Sequence, residues 1–412
     1  MKNVTSVKRE DCFGCTACKA VCKLNAVSMV SDDEGFMHPV VDEHKCVACG
    51  ACLQVCPALH RWEAQPCENK FYAFQNQDKR VLSKSTSGGA FSAIVHSVEK
   101  PYVCGCVLDD RLYVKHILSN RSEDIEAMRG SKYVQSDMGN CFSEIKEKLT
   151  AGGQVIFTGT SCQVHGLLNY LRFFKVATDR LITVDLICHG VPSNLMHQEY
   201  IKFYEKTKGV QRGTHYFRTK RQGWGMNFIL KNYEQMFVHS GQQTFVHGSL
   251  SGDYTSQESQ LYLNIFFSDF CLRSVCYHCP YCTENKPGNL TLADFWGIEE
   301  TDLALDFPQG CSLIIARGKG IHTVEDTLSS IPLNEEQKKV AKKYQLHLRR
   351  PVACPDKRDA FWEDYHRKGF QYVAHKYLRY GGKYKVLMLF YNIANRMTNK
   401  RIAQRLGSRL FY

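Results

Sequence analysis

Eight cysteines near the start of the chain fall into two sets of identical spacing. Cys12, Cys15, Cys18 and Cys22 read C-x2-C-x2-C-x3-C, and Cys46, Cys49, Cys52 and Cys56 repeat the run, with Pro57 behind the last. In this spacing three thiolates converge from one tight loop on a [4Fe–4S] cube, while the fourth ligates the other cube. The pattern predicts one cluster on Cys12, Cys15, Cys18 and Cys56, and a second on Cys46, Cys49, Cys52 and Cys22. Zinc sites and disulfide frameworks fit a doubled run of this kind poorly. Lys23 stands where the second set has Pro57, a departure that removes no ligand. The chemistry of such a pair is one-electron transfer, and residues 1–66 read as a two-cluster ferredoxin module.

Further thiols lie downstream. Cys162 and Cys188 each follow a strand-like run, Gln154 to Thr158 and Leu181 to Ile187. Carboxyl ends of strands in one open α/β sheet are where ligands bind, and Cys162 also opens a helical run, where thiolate is favoured. Cys271, Cys276, Cys279 and Cys282 are spaced C-x4-C-x2-C-x2-C. They read as one local zinc or iron–sulfur site, or as plain buried thiols. Cys67 reads as incidental. Cys104 and Cys106 share one face of a buried strand and need no metal. The segment from Ser83 to Ala90 pairs small hydroxyl residues with Gly88 and Gly89 at a helix start, where exposed amides favour an anion such as a cofactor phosphate. Met128 to Ser136 is a polar loop with Lys132 among hydroxyls. Phe217 to Gly225 reads as lining for an anionic substrate or a flavin pocket, or equally as a solvated hairpin.

The elements that position these groups follow from period and turn residues. Ala26 to Val30 and Phe36 to Val41 predict a hairpin turned at residues 31–35; Phe71 to Phe74, Tyr102 to Leu108 and Leu290 to Leu292 read as strands. Residues 330–360 read as charged peripheral helix. At 412 residues, 44% hydrophobic and 23% charged, the chain suits two or three globular domains. Twenty cysteines with no secretory leader before Cys12 lead us to expect a reducing cytoplasm. The formal charge of +12 overstates the balance, because ligating thiolates add negative charge. From Gln371 onward there are nine Lys or Arg and no Asp or Glu, and the run from Val386 to Met397 has amphipathic helical spacing. Such a helix suits the inner, anionic face of a membrane, or docking on its own domain. No nucleic-acid signature accompanies the charge, and no apolar run nears the roughly 20 residues of a membrane span.

Seven segments in order, Ser85 to Gly89, Ser131 to Ser136, Gly159 to Gln163, Ile187 to Ser193, Cys276 to Cys279, Leu292 to Gly297 and Gln309 to Ile315, resemble the β subunit of coenzyme F420-reducing hydrogenases and dehydrogenases. The likeness runs from about Phe71 to Gly320; with the ferredoxin module in front it is similar to bacterial members found near polysaccharide-synthesis genes. The resemblance implies an α+β architecture: the dicluster module, an α/β flavin-binding domain split into an N-terminal region (67–155) and a C-terminal region (156–330), and a basic helical tail (331–412). It implies FAD contacts at Ser85, Ser87, Gly88, Gly89, Ser131, Lys132 and Tyr133, and a third [4Fe–4S] cluster on Cys162, Cys188, Cys276 and Cys279, with Cys271 and Cys282 as substitutes. Ser161 departs from a proline common in the family's cysteine loop. The implied function is an iron–sulfur flavoprotein oxidoreductase that passes electrons from F420H2 or another reduced cofactor to a redox partner protein. The alternative is an electron carrier or interaction subunit without flavin.

Overall fold

A computed structural model of the chain describes residues 3–63, 68–209, 214–218, 224, 236–238, 252–253, 257–303, 309–382, 384 and 386. The linker residues Pro66 and Cys67, most of the 217–225 segment and nearly all of the 386–397 run lie outside the described residues. In chain order the elements are α1 (Ala17–Val21), β1 (Val27–Ser31), β2 (Met37–Val41), α2 (Ala51–Gln54), β3 (Lys70–Phe74), α3 (Lys79–Ser83), α4 (Ala90–His96), β4 (Tyr102–Leu108), β5 (Val114–Ser119), α5 (Ser122–Met128), α6 (Cys141–Thr150), β6 (Val155–Thr158), α7 (Ser161–Phe173) and β7 (Leu181–Leu186). There follow α8 (Asn194–Lys208), β8 (Thr214–Tyr216), β9 (Met236–Val238), β10 (Gly252–Asp253), α9 (Gln257–Phe267), β11 (Leu290–Asp294), β12 (Ser312–Ala316), α10 (Lys319–Glu325), β13 (Ile331–Pro332), α11 (Glu335–Tyr344) and α12 (Arg358–Tyr377).

Two compact units divide these elements. The first comprises residues 1–194, 222–226 and 272–352, and the second residues 195–221, 227–271 and 353–412. The first unit is built on an eight-stranded sheet of order β13-β3-β12-β11-β7-β6-β4-β5. Its centre is parallel (β11 with β7, β7 with β6, β6 with β4), and both flanks turn antiparallel. The sheet is mixed, and it draws on strands both before and after residue 155.

Alternation at period two buries both faces of this sheet. On β6, Val155 and Phe157 face one way and Ile156 the other; on β3, Phe71 and Ala73 oppose Tyr72 and Phe74. Val155 and Phe157 pack with Phe142 and Ile145 of α6, Leu167 and Tyr170 of α7, and Phe13, Ala17 and Val21 of the N-terminal module. Each fully buried side chain of this size stabilises the fold by about 1.5–3 kcal/mol. The opposite face packs on Ala90, Ile94 and Val95 of α4 and on Val324 of α10.

The sequence reading of 330–360 as peripheral needs correction. Leu333, Ala341 and Leu348 are buried against Phe71, Leu313 and Ile315, and β13 extends the sheet at Tyr72 and Ala73. Lysines and glutamates dominate the outer face of α11, and they masked the few apolar residues that carry the contact.

In the second unit, β10-β9-β8 form a small antiparallel sheet. His197 and Tyr200 of α8 pack with His215, Phe217 and Tyr262, and His197 Nε2 lies 2.9 Å from His215 Nδ1. Helix α12 breaks at Gly369, where φ is +79°. Among the described residues no helix is long and apolar enough to cross a membrane.

Candidate metal centres

The two cysteine sets have a repeated backbone. Gly14 and Ala48 occupy matching positions with φ of +63° and +54°, and Thr16 and Gly50 match at +65° and +74°. Left-handed residues on either side of Cys15 and Cys49 curl each loop inward, a conformation that costs roughly 1–3 kcal/mol where the residue is not glycine. Amides then point at sulfur: Gly14 N–H donates to Cys12 Sγ at 3.4 Å and Ala26 N–H to Cys22 Sγ at 3.3 Å. Between the sets, β1 and β2 pair antiparallel from Val27 with Val41 to Ser31 with Met37. Asp32 Oδ1 fixes the turn by accepting the amides of Glu34 and Phe36. The hairpin lies within one residue of its predicted bounds.

Cys12, Cys15, Cys18 and Cys56 line one cavity of 330 Å³ together with Gly14, Thr16 and His38. Burial pushes the Cys15 and Cys18 thiols up, and crowding by Cys56 and Cys12 adds to it. At Cys12 burial acts in the same direction, but the His38 hydrogen bond and the Arg273 charge outweigh it and hold the thiol below its usual range. Four sulfurs spread around such a space suit a cube with iron at its corners, since iron relieves the repulsion among thiolates. In the other set Cys52 is buried and within electrostatic reach of Cys46, while Cys49 is exposed. Among the described residues no three His, Cys, Asp or Glu side chains close around a single metal ion.

A second cluster of thiols forms from three distant stretches. Cys162 sits in the first turn of α7, whose start is closed by a reciprocal cap between Thr160 and Gln163. Thr160 Oγ1 lies 3.1 Å from Cys162 Sγ. Cys188 follows β7. The loop behind it pairs with the Cys276 turn through a bridge between Pro192 and Leu272. A Cβ on Gly190 would stand 2.8 Å from Leu272 Cδ1 and 3.3 Å from Cys276 Cβ, so glycine permits the approach. Cys276 and Cys279 belong to a tight 3-10 turn and its cap. Burial pushes Cys276 and Cys188 up, Cys188 to about 12, and each feels the charge of Cys162 and Cys279. The structure thus brings Cys162, Cys188, Cys276 and Cys279 together. Cys282 joins as a fifth thiol: its hydrogen bond lowers Cys279 to about 7, with Lys286 acting in the same direction. Lys286 is buried and donates to Tyr281 O. Cys271 is fully buried in the other unit, beside Tyr262.

The two loops predicted to meet a nucleotide are neighbours. Arg129 Nη2 donates to Ser85 Oγ at 2.9 Å, and Gly130 lies against Thr86. Ser85 Oγ donates to Val81 O and Ser87 Oγ to Cys311 O. A Cβ on Gly88 would fall 2.1 Å from Phe74 O, which explains that glycine by packing against β3, while Gly89 adopts φ +83° at the start of α4. Lys132 Nζ donates to Ala127 O and Arg129 O. Ser131 is exposed and Tyr133 half-buried. From Lys132 a polar chain leads toward the thiols: Cys106 lies within its electrostatic reach and bonds Ser136. Ser136 Oγ accepts from Gln163 Nε2 at 2.9 Å, and Gln163 Oε1 accepts from Thr160 N beside Cys162.

Sequence reasoning missed Arg273, Gln135, His38 and Tyr281. Tyr281 is buried, its hydroxyl lies 2.7 Å from His165 Nδ1, and it stands within electrostatic reach of Cys162, Cys279, Cys15 and Cys56. Arg273 and Tyr281 do sit inside the C-x4-C-x2-C-x2-C run. A bulky polar residue between ligands was the available signal.

The doubled cysteine spacing and its repeated backbone define an iron–sulfur protein. Residues 5–61 match the 4Fe-4S dicluster domain, and residues 152–338 match the C terminus of the beta subunit of coenzyme F420 hydrogenase/dehydrogenase. The chain thus joins a segment that matches a dicluster domain to one that matches the C terminus of that beta subunit. The F subunit of F(420)H(2) dehydrogenase from Methanosarcina mazei is 24% identical over 172 residues, 39% of this chain and 48% of the relative. The chain therefore spans about half the length of the curated relative it matches. A chain from a xenon-derivatised structure of the F420-reducing [NiFe] hydrogenase complex of Methanosarcina barkeri aligns at 16% identity, over 75% of this chain and 97% of its own, with a TM-score of 0.42.

Proposed function

We propose that the protein is an iron–sulfur flavoprotein oxidoreductase that takes hydride from a reduced cofactor and delivers single electrons through three [4Fe–4S] clusters to a redox partner protein. The observation that carries the reading is the convergence of Cys162, Cys188, Cys276 and Cys279, in the same compact unit as the dicluster domain, with Tyr281 beside thiols of both sets. These four would hold the third cluster, and the eight N-terminal cysteines the other two. FAD would lie along Ser85, Ser87, Gly88 and Gly89 and along Ser131, Lys132 and Tyr133. Those residues fit it in part: the loops adjoin and carry Arg129 and Lys132, but the hydroxyls of Ser85 and Ser87 would exchange their present backbone partners for phosphate. Bound there, flavin supplies the conversion of a two-electron hydride into single electrons, which no side chain performs alone.

The chain's own residues bind and orient. Lys132, held by two carbonyls, offers a fixed positive charge to an anionic group. Thr160 and Gln163 set the start of α7 and so the direction of Cys162. Lys286 places a cation beside Cys279 and Cys188, which favours their thiolate forms. The Methanosarcina mazei relative is named a dehydrogenase of F(420)H(2); a reduced deazaflavin is accordingly the first donor to assay, with reduced nicotinamide as the second. Contact of the basic run after Gln371 with an anionic membrane belongs to the same proposal and is tested by flotation with anionic vesicles.

Anaerobic purification of the full chain with iron, sulfide and flavin quantification tests the reading. It calls for about twelve iron atoms, the content of three cubes, and one FAD per chain. Cys279→Ser should lower iron by up to about four atoms and leave much of the flavin. About eight irons with no flavin would instead favour the electron-carrier alternative.

A further inference from the structure

Arg273 is 2% exposed and belongs to two centres at once. Its main chain is part of the four-thiol site: the amide donates to Val191 O at 3.1 Å, three residues beyond Cys188, and its carbonyl accepts from Cys276 N at 2.8 Å. Its side chain reaches the dicluster domain. Nε donates to Cys12 O at 2.5 Å, Nη2 to Met37 O at 2.9 Å, and Nη1 to Gln135 Oε1 at 3.0 Å. Gln135 repeats the link, with Nε2 donating to Phe13 O at 3.0 Å and its amide to Pro192 O at 2.9 Å. Gly14 makes room: a Cβ there would stand 2.8 Å from Arg273 Nη1 and 2.6 Å from Gln135 Nε2. The ring of Phe36 lies 5.3 Å from the guanidinium carbon.

The oxygens that Arg273 bonds are carbonyl and amide oxygens, which carry no formal charge. A buried cation held in this way costs several kcal/mol unless negative charge lies near, and guanidinium does not escape the cost by losing its proton. The Asp32 carboxylate, 3.0 Å from His38 and within electrostatic reach of the guanidinium, offsets part of that cost, and thiolate-ligated clusters on either side would supply the rest.

We infer that Arg273 couples the two centres, locking the Cys12 loop against the Cys188 and Cys276 loops and raising the reduction potential of the cluster on Cys12, Cys15, Cys18 and Cys56. The guanidinium also reaches Cys162, but it bonds directly to the Cys12 and Met37 carbonyls, so the larger effect falls on that cluster, which would accept the electron leaving the four-thiol site: one centre would be oxidised by one electron, the other reduced by one, with no proton or bond exchanged. The inference rests on the reading of the four-thiol site as a cluster. Arg273 is a positioning residue, not a ligand.

Reductive titration of the anaerobically purified full chain, followed by electron paramagnetic resonance, tests it. The signal lost in Cys49→Ser identifies the outer dicluster centre and serves as the internal reference. In Arg273→Met the Cys12 centre should show at least a tenfold lower ratio of reduced to oxidised form at fixed potential, about 59 mV for one electron, while the reference moves less. Arg273→Lys, which keeps the charge, should recover most of the shift. Unchanged potentials, or an equal shift of every signal, would overturn the inference. Should Arg273→Met lose iron, Gln135→Glu decides: a carboxylate on Nη1 must lower the same potential, and no change overturns the inference. A wild-type chain without iron at the four-thiol site would instead defeat the functional reading beneath it.

Discussion

Cys15 and Gly166 meet with no side chain between them: a Cβ on Gly166 would stand 3.0 Å from the Cys15 sulfur and 3.3 Å from its Cβ. Gly166 lies one helical turn beyond Cys162 on α7. The loop that carries Cys15 is thus seated directly on the helix that begins at the four-thiol site, and glycine sets the separation. Gly166→Val adds three carbons to a filled contact. Overpacking of this kind costs about 1–3 kcal/mol. The expected outcome is a lower thermal midpoint and loss of up to about four iron atoms per chain; Gly166→Ala should fall between it and wild type. Iron content and calorimetry of the three proteins check this, and equal values would show that the contact does not bear on the cluster.

A second prediction concerns Asp185, which is fully buried on β7. Its carboxylate accepts from Thr291 Oγ1 at 2.6 Å and from Gly288 N at 3.1 Å. Thr291 Oγ1 also accepts from Arg317 Nη1 at 2.8 Å. This network ties the turn behind Cys282 and Lys286 to the strand that leads to Cys188. In Asp185→Ala a buried amide and a buried hydroxyl lose their acceptor, at about 1–3 kcal/mol each. Urea denaturation should show a lower midpoint with an unchanged slope. An unaltered midpoint would mean that the turn is held by other contacts.

Much of this architecture was legible because it is local. The hairpin of β1 and β2, the strands β3, β4, β6, β7 and β11, and the helix after Gly89 follow from period-two or helical runs bounded by turn residues. The doubled cysteine spacing is likewise local, and its repeat reappears in the backbone at Thr16 and Gly50. Arg273 and Gln135 were not legible, since their meaning depends on partners 261 and 122 residues away at Cys12 and Phe13. Lysines and glutamates in Glu335–Tyr344 concealed Ala341, because one small buried residue per turn leaves little apolar signal. The glycine at position 88 read as a phosphate loop, yet its visible cause is the strand backbone it touches at Phe74.

The unequal exposure of the two dicluster sets carries a third prediction. Cys49 is exposed, and Val47 beside it is 70% exposed, whereas Cys15 and Cys18 are buried. Cys49→Ser should release up to about four iron atoms and leave the Cys12 set filled, because the 330 Å³ cavity includes no residue of the 46–52 loop. In wild type the outer centre should also be the first to bleach in air. Complete loss of iron in Cys49→Ser would show that the two sets fold only together.

His116 gives the protein a pH dependence of known sign. It is buried on β5, with Nε2 2.9 Å from Thr158 O, and Nδ1 has no partner. A carbonyl only accepts, so Nε2 carries the proton, and a second proton on the buried Nδ1 would have no acceptor, which keeps the ring neutral. Burial pushes the imidazole down to about 4, and the nearby Lys132 adds to the shift while the Thr158 bond opposes it. In the unfolded chain the ring titrates near its ordinary value of about 6.5. Between these values the unfolded chain holds the extra proton, so the stability that neutral His116 provides is complete above pH 6.5 and declines as pH falls toward 4. The limiting slope is about 1.4 kcal/mol per pH unit. His116→Gln keeps a donor for Thr158 O and removes the titration. Its unfolding free energy between pH 6.5 and 4.5 should decline less steeply than that of wild type, by up to that slope. Acid release of iron is common to both proteins and cancels in the difference. Parallel pH profiles would show that the ring binds its proton equally in the folded and unfolded chain, against the burial of Nδ1.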